Sequence, residues 1–198
     1  MKKREKILGV AAKLFAVKGF KNTNIAEIAR ITEAAEGTIF YHFKTKEELF
    51  LAILKEFRCL VTDEFSRYEN SEDFGNGLKK TEHLVSFYLS LSASMEERFL
   101  LLHRHDAYEL SEMNLLFKSE MEAIYTCFVD VFEKAIIKGQ EDGSITTEIA
   151  ARKLAMILFA LVDSVARLNT YRVYDAGSLY SELLRSCSRI LRKDIKNT

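Results

Sequence analysis

The absence of proline is the feature that most limits what this chain of 198 residues can fold into. Proline breaks helices, and without it long helical segments are uninterrupted. The eight glycines stand mostly alone, at positions where helices can end. Alternation of apolar and polar residues, which is typical of strands bounded by turns, is hard to find. The sequence therefore predicts an all-α protein of about nine helices.

Apolar residues at steps of three and four predict four helices in the first part of the chain. Gly19 can end the first helix, and Asn22 or Thr23 can cap the second, which is short. Thr45, with Glu48 three places on, forms a capping box that opens a long helix. The predicted helices cover residues 4–17, 24 or 25 to about 31, 36–42 and 46–68.

A second set of helices follows the polar, glycine-containing stretch NSEDFGNG at 70–77. These helices are predicted over 78–95, 96–109, 111–138, 147–173 and 178–193. The organisation predicted from this pattern is a helix-turn-helix domain over 1–46 and a helical ligand-binding and dimerisation domain over 47–198.

Charge is unevenly distributed, although the whole chain has a formal net charge of zero. Residues 1–50 hold ten Lys or Arg and six acids, an excess of positive charge in the first quarter. Cys59, Cys127 and Cys187 are far apart and form no CxxC pair, so neither a disulfide framework nor a metal site is predicted. With no long apolar run and no signal-peptide pattern, we expect a cytoplasmic protein with no membrane association and no cofactor.

Two short helices joined by a tight turn, with an amphipathic helix before them and a long one after, predict a helix-turn-helix. The segments AAKLF, KGF, IAEIA, GTI, YHF and KEELF all lie within residues 7–54. With these segments at compatible spacings, residues 7–54 resemble the N-terminal domain of the TetR family of bacterial transcription regulators. The run GTIFYHFKTKEELF is most similar to the regulators of multidrug-efflux genes. The resemblance implies a DNA-binding regulator.

The residue types in this segment suit contacts with DNA. Gly37 allows a backbone to approach a phosphate closely, and Thr38 offers a hydroxyl and a methyl to a phosphate oxygen or a thymine. Tyr41 and His42 can donate to phosphates, and Lys46 adds a positive charge. The resemblance implies the same positions, and the predicted DNA-binding residues are Thr23, Asn24, Glu36, Gly37, Thr38, Tyr41, His42 and Lys46.

Other residues of the motif are expected to serve the fold, and some depart from the family pattern. Phe40 and Phe43 are expected to pack the third helix against its neighbours. Glu33 stands where the family usually has glycine in the turn, and Ala35 stands where serine or threonine usually caps the third helix, at a loss of about 1 kcal/mol. Glu36 would repel phosphate or accept a hydrogen bond from a cytosine amine. The operator sequence and affinity therefore stay open.

A protein of this size that binds symmetric DNA sequences normally acts as a dimer. The segments 154–168 and 179–191 both carry apolar residues at helical spacing. Paired with the same two segments of a second copy, they are predicted to form a four-helix dimer interface. Their alternative role is to close the core of a single chain. The predicted interface residues are Leu154, Leu158, Leu161, Val165, Leu183, Leu184, Cys187 and Leu191.

The second domain is rich in aromatic residues, which suits a pocket for a bulky apolar or aromatic ligand as well as an ordinary core. The cluster HRHDAYE at 103–109 is the one polar concentration on an otherwise apolar helix. It is a poor metal site because His103 and Asp106 share a face from which His105 points away. The predicted ligand-binding residues are Phe87, Tyr88, His103, Tyr125, Phe128 and Phe159.

The leading hypothesis is a homodimeric repressor that binds a palindromic operator and is released by a small hydrophobic or aromatic effector. The alternative is a DNA-binding protein of the same fold with no small-molecule effector, controlled by a protein partner. An enzyme is not expected, because no nucleophile motif or pair of carboxylates supports catalysis.

Overall fold

A computed structural model describes residues 3–192, which form ten α-helices and a short 3-10 helix, Ala176–Leu179. No strand occurs within that range, and the predicted all-α fold class is confirmed. The helices are α1 Lys3–Lys18, α2 Ile25–Thr32, α3 Glu36–His42, α4 Lys46–Ser71, α5 Gly77–Ser94, α6 Glu96–His103, α7 His105–Met113, α8 Leu115–Glu141, α9 Ala151–Thr170 and α10 Tyr180–Leu191.

The predicted helix over 96–109 is in fact two helices, α6 and α7. Arg104 between them is extended, with φ −70° and ψ 147°, and its guanidinium donates to the carbonyl of Ala16. Asn114 is also extended and separates α7 from α8. The described residues therefore form one α-helix more than the sequence predicts, because a contact distant in sequence competes with helix continuation at Arg104.

The helices divide into two compact units. The first unit comprises the described residues up to Asp63 together with Glu96–Ile124. Within it, α1 packs against α2, α3 and α6. Four phenylalanine rings form its core, with centroids 5.4 to 5.8 Å apart along the chain of contacts Phe20, Phe15, Phe50 and Phe117. This core holds the helix-turn-helix in place.

The second unit comprises Glu64–Met95 and the described residues from Tyr125 onward. Here α5 and α8 approach closely, because a Cβ added at Gly77 would lie 2.0 Å from the backbone nitrogen of Gly139. The N-terminus of α5 is held by Asp142, which accepts from the N–H of Gly77, and by Ser144, which accepts from the N–H of Leu78. Helices α9 and α10 pack on α5.

The two compact units do not follow the functional boundary predicted after residue 46, and that boundary remains a prediction. Among residues 3–192, no helix combines the length and the apolar character that crossing a bilayer requires.

Candidate nucleic-acid interface and effector region

The turn between α2 and α3 keeps its shape without the glycine that the family usually has there. Glu33 adopts the left-handed conformation, with φ 55° and ψ 37°. Its N–H donates to the carbonyl of Arg30, and the N–H of Ala34 donates to that of Ala29, which is the hydrogen-bond pattern of a Schellman motif. A non-glycine residue in this conformation costs about 1–2 kcal/mol. The tight turn predicted for a helix-turn-helix is therefore present.

Helix α3 is fixed to the first unit by its apolar face. Ile39 is fully buried, and Phe43 at the C-terminal end is buried beneath the guanidinium of Arg4, 5.2 Å from the ring centroid. The expected packing of Phe43 is confirmed. The expected packing of Phe40 is wrong, because 44% of this residue is exposed and Ile39 takes the core position. As predicted, Ala35 caps α3 with no side-chain hydrogen bond.

The opposite face of α3 is open to solvent. Tyr41 is 84% exposed, Glu36, Gly37 and His42 are exposed, and Thr38 is half-buried. The rings of Tyr41 and His42 lie edge to face, with centroids 5.3 Å apart. Five of the predicted DNA-binding residues therefore share one accessible surface, which we call the α3 face.

Gly37 on the α3 face is not required by the fold. A Cβ added there would meet no other atom within 4 Å, and no positive φ is found at this position. Glycine within a helix costs about 0.8–1.0 kcal/mol relative to alanine. The chain gains no packing in return, so the small residue suits the approach of something outside the chain.

The prediction that Asn22 or Thr23 caps α2 is wrong, because a different residue is the N-cap. Asn24 is the N-cap of α2, and its side-chain oxygen accepts from the N–H of Glu27 at 2.7 Å. Thr23 is buried, and its hydroxyl donates to the carbonyl of Gly19. The prediction that Thr23 presents its side chain to DNA is therefore wrong, because that side chain fixes the turn after α1.

Lys46 also supports this turn. Its Nζ donates to the carbonyls of Phe20 and Thr23, at 2.8 and 3.0 Å, and lies 4.3 Å from the ring centroid of Phe20. An ammonium has three donors, so one N–H is left for a phosphate. At the same helix start, the predicted capping hydrogen bond from Glu48 N–H to the Thr45 hydroxyl is confirmed, and the Glu48 carboxylate accepts from Lys44 N–H.

Two residues at the start of α7, which the sequence did not single out for this role, support the same turn. Asp106 accepts from the N–H of Phe20 at 3.0 Å, and Arg104 donates to the carbonyl of Ala16 and to Asp106. A Cβ at Gly19, where φ is +89°, would lie 2.9 Å from Arg104 and 3.0 Å from Asp106. The polar cluster at 103–109 marks these residues in the sequence. Nothing in the sequence indicates that they bind the turn after α1.

The predicted ligand-binding residues are divided between the two units. His103 is buried in the first unit, 6.2 Å from the ring of Phe99, whereas the other five belong to the second unit. His103 and Asp106 do not share a helix face, because Arg104 interrupts the helix between them. The assignment of His103 to a pocket with the other five stays a prediction.

The other five predicted ligand-binding residues belong to rings in contact within the second unit, which we call the aromatic cluster: Phe87, Tyr88, Tyr125, Phe128 and Phe159. Phe159 is central, with centroids 5.6, 5.8 and 6.1 Å from those of Phe128, Tyr125 and Tyr88. Phe87 joins through Phe65, which contacts Phe128. The sequence therefore identified rings that do meet in space.

Asp163 is a polar partner of the aromatic cluster that sequence reasoning missed. The hydroxyl of the fully buried Tyr88 donates to its carboxylate at 2.6 Å. Asp163 is the single acid in the apolar segment 154–166, and an isolated acid in such a segment indicates a specific polar contact. An acid hydrogen-bonded to a buried tyrosine gives an otherwise apolar cluster one charged, directional group.

The predicted interface residues are mostly not available to a partner. Leu161 is exposed and Val165 and Leu184 are half-buried. The other five are buried within a single chain, so their assignment to an interface is corrected: Leu154, Leu158, Leu183, Cys187 and Leu191. Burial raises the pKa of the Cys187 thiol to about 11.

A different set of apolar side chains is exposed on the same two helices. Met156, Ile157 and Leu161 on α9 are between 37% and 55% exposed, and Ile190 on α10 is 36% exposed. The two helices are therefore apolar on more than one face. One face is used inside the chain, and the other is open in the monomer.

A helix-turn-helix with a solvent-exposed second helix defines a DNA-binding regulator. Residues 7–53 match the family described as bacterial regulatory proteins, tetR family, as the resemblance in the sequence implied. A stretch of 54 residues is 50% identical to the HTH-type transcriptional regulator QacR of Staphylococcus aureus. That match covers 27% of this chain and 29% of QacR, so it spans less than a third of either protein.

Solved structures resemble the chain over almost its whole length. A putative transcriptional regulator from Saccharomonospora viridis in complex with choline has a TM-score of 0.83 at 21% identity, covering 96% of this chain and 97% of that one. The regulator FadR of Bacillus subtilis in complex with stearoyl-CoA has a TM-score of 0.76 at 18% identity, covering 95% and 99%. At these identities the likeness shows a shared fold.

Proposed function

We propose that the protein is a ligand-responsive transcriptional repressor that binds a palindromic operator as a homodimer. The α3 face carries this proposal. It displays a tyrosine, a histidine, a threonine and a sterically unneeded glycine on a short helix whose other side is fixed by Ile39 and Phe43. This is the geometry of a recognition helix, and a helix fits the major groove of B-DNA.

Each residue of the α3 face has a role in the proposed complex. Tyr41 and His42 donate to phosphates, and the close approach of the backbone at Gly37 brings α3 against the DNA. Thr38 faces a phosphate oxygen or a thymine methyl, and Glu36 accepts from a cytosine amine. Asn24 at the start of α2 and the remaining N–H of Lys46 add contacts to the DNA backbone.

Homodimerisation is proposed through the exposed apolar faces of α9 and α10, centred on Met156, Ile157, Leu161 and Ile190. Pairing these faces with a second copy removes apolar surface from water, at roughly 25 cal/mol per Å². A two-fold dimer presents two copies of α3 to half-sites about one DNA turn apart, which explains a palindromic operator.

The effector is proposed to be a small hydrophobic or aromatic compound that occupies the aromatic cluster. Five rings and one carboxylate suit a ligand that is largely apolar with a single polar or cationic group. Two proteins of this fold carry stearoyl-CoA or choline in their crystal structures, so a bound organic molecule is compatible with the fold.

A second candidate is the same DNA-binding protein without a small-molecule effector. The rings themselves favour it: Phe128 and Tyr88 are fully buried, with centroids 4.9 Å apart, and Phe128 stacks on Phe159 at 5.6 Å. Rings in mutual contact are what an ordinary filled core requires. A ligand must therefore displace at least one ring to enter.

Operator binding is tested with Tyr41→Ala. DNA is first selected from a random library by the wild-type protein, and affinities are then measured by fluorescence anisotropy at fixed salt. We expect Tyr41→Ala to bind at least tenfold more weakly with an unchanged melting temperature, because Tyr41 is 84% exposed. The matched control is Tyr174→Ala, which removes another exposed tyrosine outside the α3 face. Equal affinity in the Tyr41 variant overturns the assignment of α3.

Dimerisation is tested by analytical ultracentrifugation of Ile157→Glu. A charge on the exposed face of α9 is expected to shift the protein towards monomer without unfolding it. Lys79→Glu, an exposed change on α5, serves as the control and should leave the dimer intact. A wild-type protein that is monomeric at micromolar concentration contradicts the proposed interface.

The effector proposal is tested by titrating stearoyl-CoA and choline against the operator complex. Release by either compound that is lost in Phe159→Ala supports the aromatic cluster as the site. Release that is unaffected by Phe159→Ala places the site elsewhere. If neither compound releases the protein, and neither changes its melting temperature, the candidate without a small-molecule effector is favoured.

A further inference from the structure

A surface cleft of about 650 Å³ lies between α5 and α10 within the second unit. It shares no residue with the α3 face or with the aromatic cluster. Three of its eight lining residues are arginines: Glu82, His83 and Ser86 come from α5, and Leu184, Arg185, Ser188, Arg189 and Arg192 come from α10 and its C-cap.

The three arginines lie on one flank of α10 and its C-cap. Leu183, Cys187 and Leu191 are buried and orient the helix. Arg185 and Arg189 are four residues apart on α10, so they project from successive turns about 5.4 Å apart. Arg192 follows at the C-cap, where the backbone is extended. The guanidinium groups therefore form a row along the cleft about two turns long.

These arginines differ from most others in the described part of the chain. Neither Arg185 nor Arg189 forms an ion pair with a described residue, and Arg192 donates its Nε–H only to the hydroxyl of Ser188, at 3.2 Å. By contrast, five arginines within residues 3–192 pair with carboxylates: Arg58, Arg67, Arg98, Arg104 and Arg152.

The opposite wall adds little negative charge. Glu82 is the one acid among the described lining residues, and it forms no ion pair with the arginines. The hydroxyl of Ser86 donates to the carbonyl of Glu82 at 3.3 Å, and Tyr180 donates to the carbonyl of Ser86, which ties the two walls together. His83 has its Nδ1 3.4 Å from the hydroxyl of Tyr68.

The chemistry of this row indicates its ligand. Like charges at i and i+4 destabilise a helix by a few tenths of a kcal/mol, and a polyanion between them reverses that effect. Guanidinium groups donate two parallel hydrogen bonds to a phosphate and remain charged at every physiological pH. A row about 10 Å long is matched by more than one phosphate group, while a single inorganic ion covers one turn.

We propose that the α5–α10 cleft binds a small soluble molecule that carries at least two linked phosphate groups. Arg185 and Arg189 hold the phosphates in bidentate hydrogen bonds, Arg192 extends the row, and Ser188 supplies a hydroxyl at its edge. This site does not depend on the proposed operator binding or on occupation of the aromatic cluster.

The experiment measures binding of sodium pyrophosphate to the full-length protein by isothermal titration calorimetry, without DNA, at ionic strength fixed with sodium chloride. We expect saturable binding to the wild type and at least tenfold weaker binding to the double variant R185Q/R189Q. The control is R167Q, which removes an exposed arginine of α9. Thermal melts establish that each variant is folded.

Further variants and ligands distinguish a specific phosphate site from non-specific electrostatic attraction. A double lysine variant, R185K/R189K, keeps both charges but loses the planar forks, and we expect it to bind weakly. Wild-type affinity in either double variant overturns the proposal, as does equal affinity for orthophosphate. Binding to phosphatidic acid vesicles in place of soluble pyrophosphate also overturns it. Operator affinity is measured separately, so loss of pyrophosphate binding with operator binding intact concerns the cleft alone.

Discussion

Two tyrosines, one in each unit, have opposite relations to the fold. Tyr41 on the α3 face is 84% exposed, whereas Tyr88 in the aromatic cluster is fully buried and bonded to Asp163. In the first unit, the side chains proposed for function are separate from those that hold the helix, namely Ile39 and Phe43. In the second unit, two of the five rings proposed for ligand binding, Tyr88 and Phe128, are fully buried in the core. At the α3 face, function and stability can therefore be changed independently, whereas at these buried rings they change together.

The largest expected effect comes from Tyr88→Ala. Truncating a fully buried ring leaves a cavity and should lower the free energy of unfolding by about 3–5 kcal/mol. Chemical denaturation monitored by circular dichroism measures the change. Tyr174→Ala, at an exposed tyrosine of the same unit, should change it by less than about 0.5 kcal/mol. A similar loss of free energy of unfolding in the two variants would contradict the contrast between buried and exposed rings.

Tyr88→Phe should have a smaller effect in the same direction. The ring is kept, but Asp163 loses a hydrogen bond from a buried partner, so we expect a loss of about 1–3 kcal/mol. The same denaturation experiment measures it. Combining Tyr88→Phe with Asp163→Asn in a double-mutant cycle isolates the pair, and additive effects would show that the hydrogen bond has no net role.

Gly37→Ala sharpens the comparison because its two effects have opposite signs. Alanine should stabilise α3 by about 0.5–1 kcal/mol, since no atom obstructs a Cβ there. In the proposed complex the same Cβ lies against DNA, so operator affinity should fall. Gly9→Ala in α1, which is equally unobstructed, is the matched control and should stabilise without weakening operator binding. A Gly37 variant with full affinity would remove the steric argument for the α3 face.

The smallest effect is a difference in thiol reactivity. Cys59 is exposed and should react with iodoacetamide in the native protein, whereas Cys187 is buried, with its pKa raised from 9.0 to about 11. The folded state holds the Cys187 thiol proton more tightly than the unfolded state does. The contribution of this group to the free energy of unfolding is therefore fully present below pH 9 and is lost as the pH rises towards 11. Peptide mass spectrometry after labelling at pH 8 checks the order, and equal labelling would contradict it.

Local patterns predicted most of the fold and much of the α3 face. Helix spacing, the Thr45 cap and the turn before α3 depend on residues close in sequence, and these predictions are confirmed. Contacts distant in sequence were not predictable. Arg104 breaks a helix because of Ala16, 88 residues away, and Lys46 is drawn to the carbonyls of Phe20 and Thr23.

The interface predictions show a second limit. Apolar spacing on α9 and α10 identifies an apolar helix but does not tell which face meets the chain's own core. Leu158 and Cys187 satisfy the same pattern as Ile157 and Ile190, yet the first two are buried and the others are exposed. Two apolar faces on one helix cannot be assigned without the positions of its neighbours.

The brace that Arg104 and Asp106 provide has a consequence for synthesis on the ribosome. The first unit is discontinuous in sequence, and the turn after α1 gains the contacts from Arg104 and Asp106 only when residues 96–124 have been made. At 5–20 residues per second, residues 64–124 take roughly 3 to 12 s to translate. During that interval the nascent N-terminal helices lack the second segment of their unit, Glu96–Ile124, so the helix-turn-helix is completed late although it is made first.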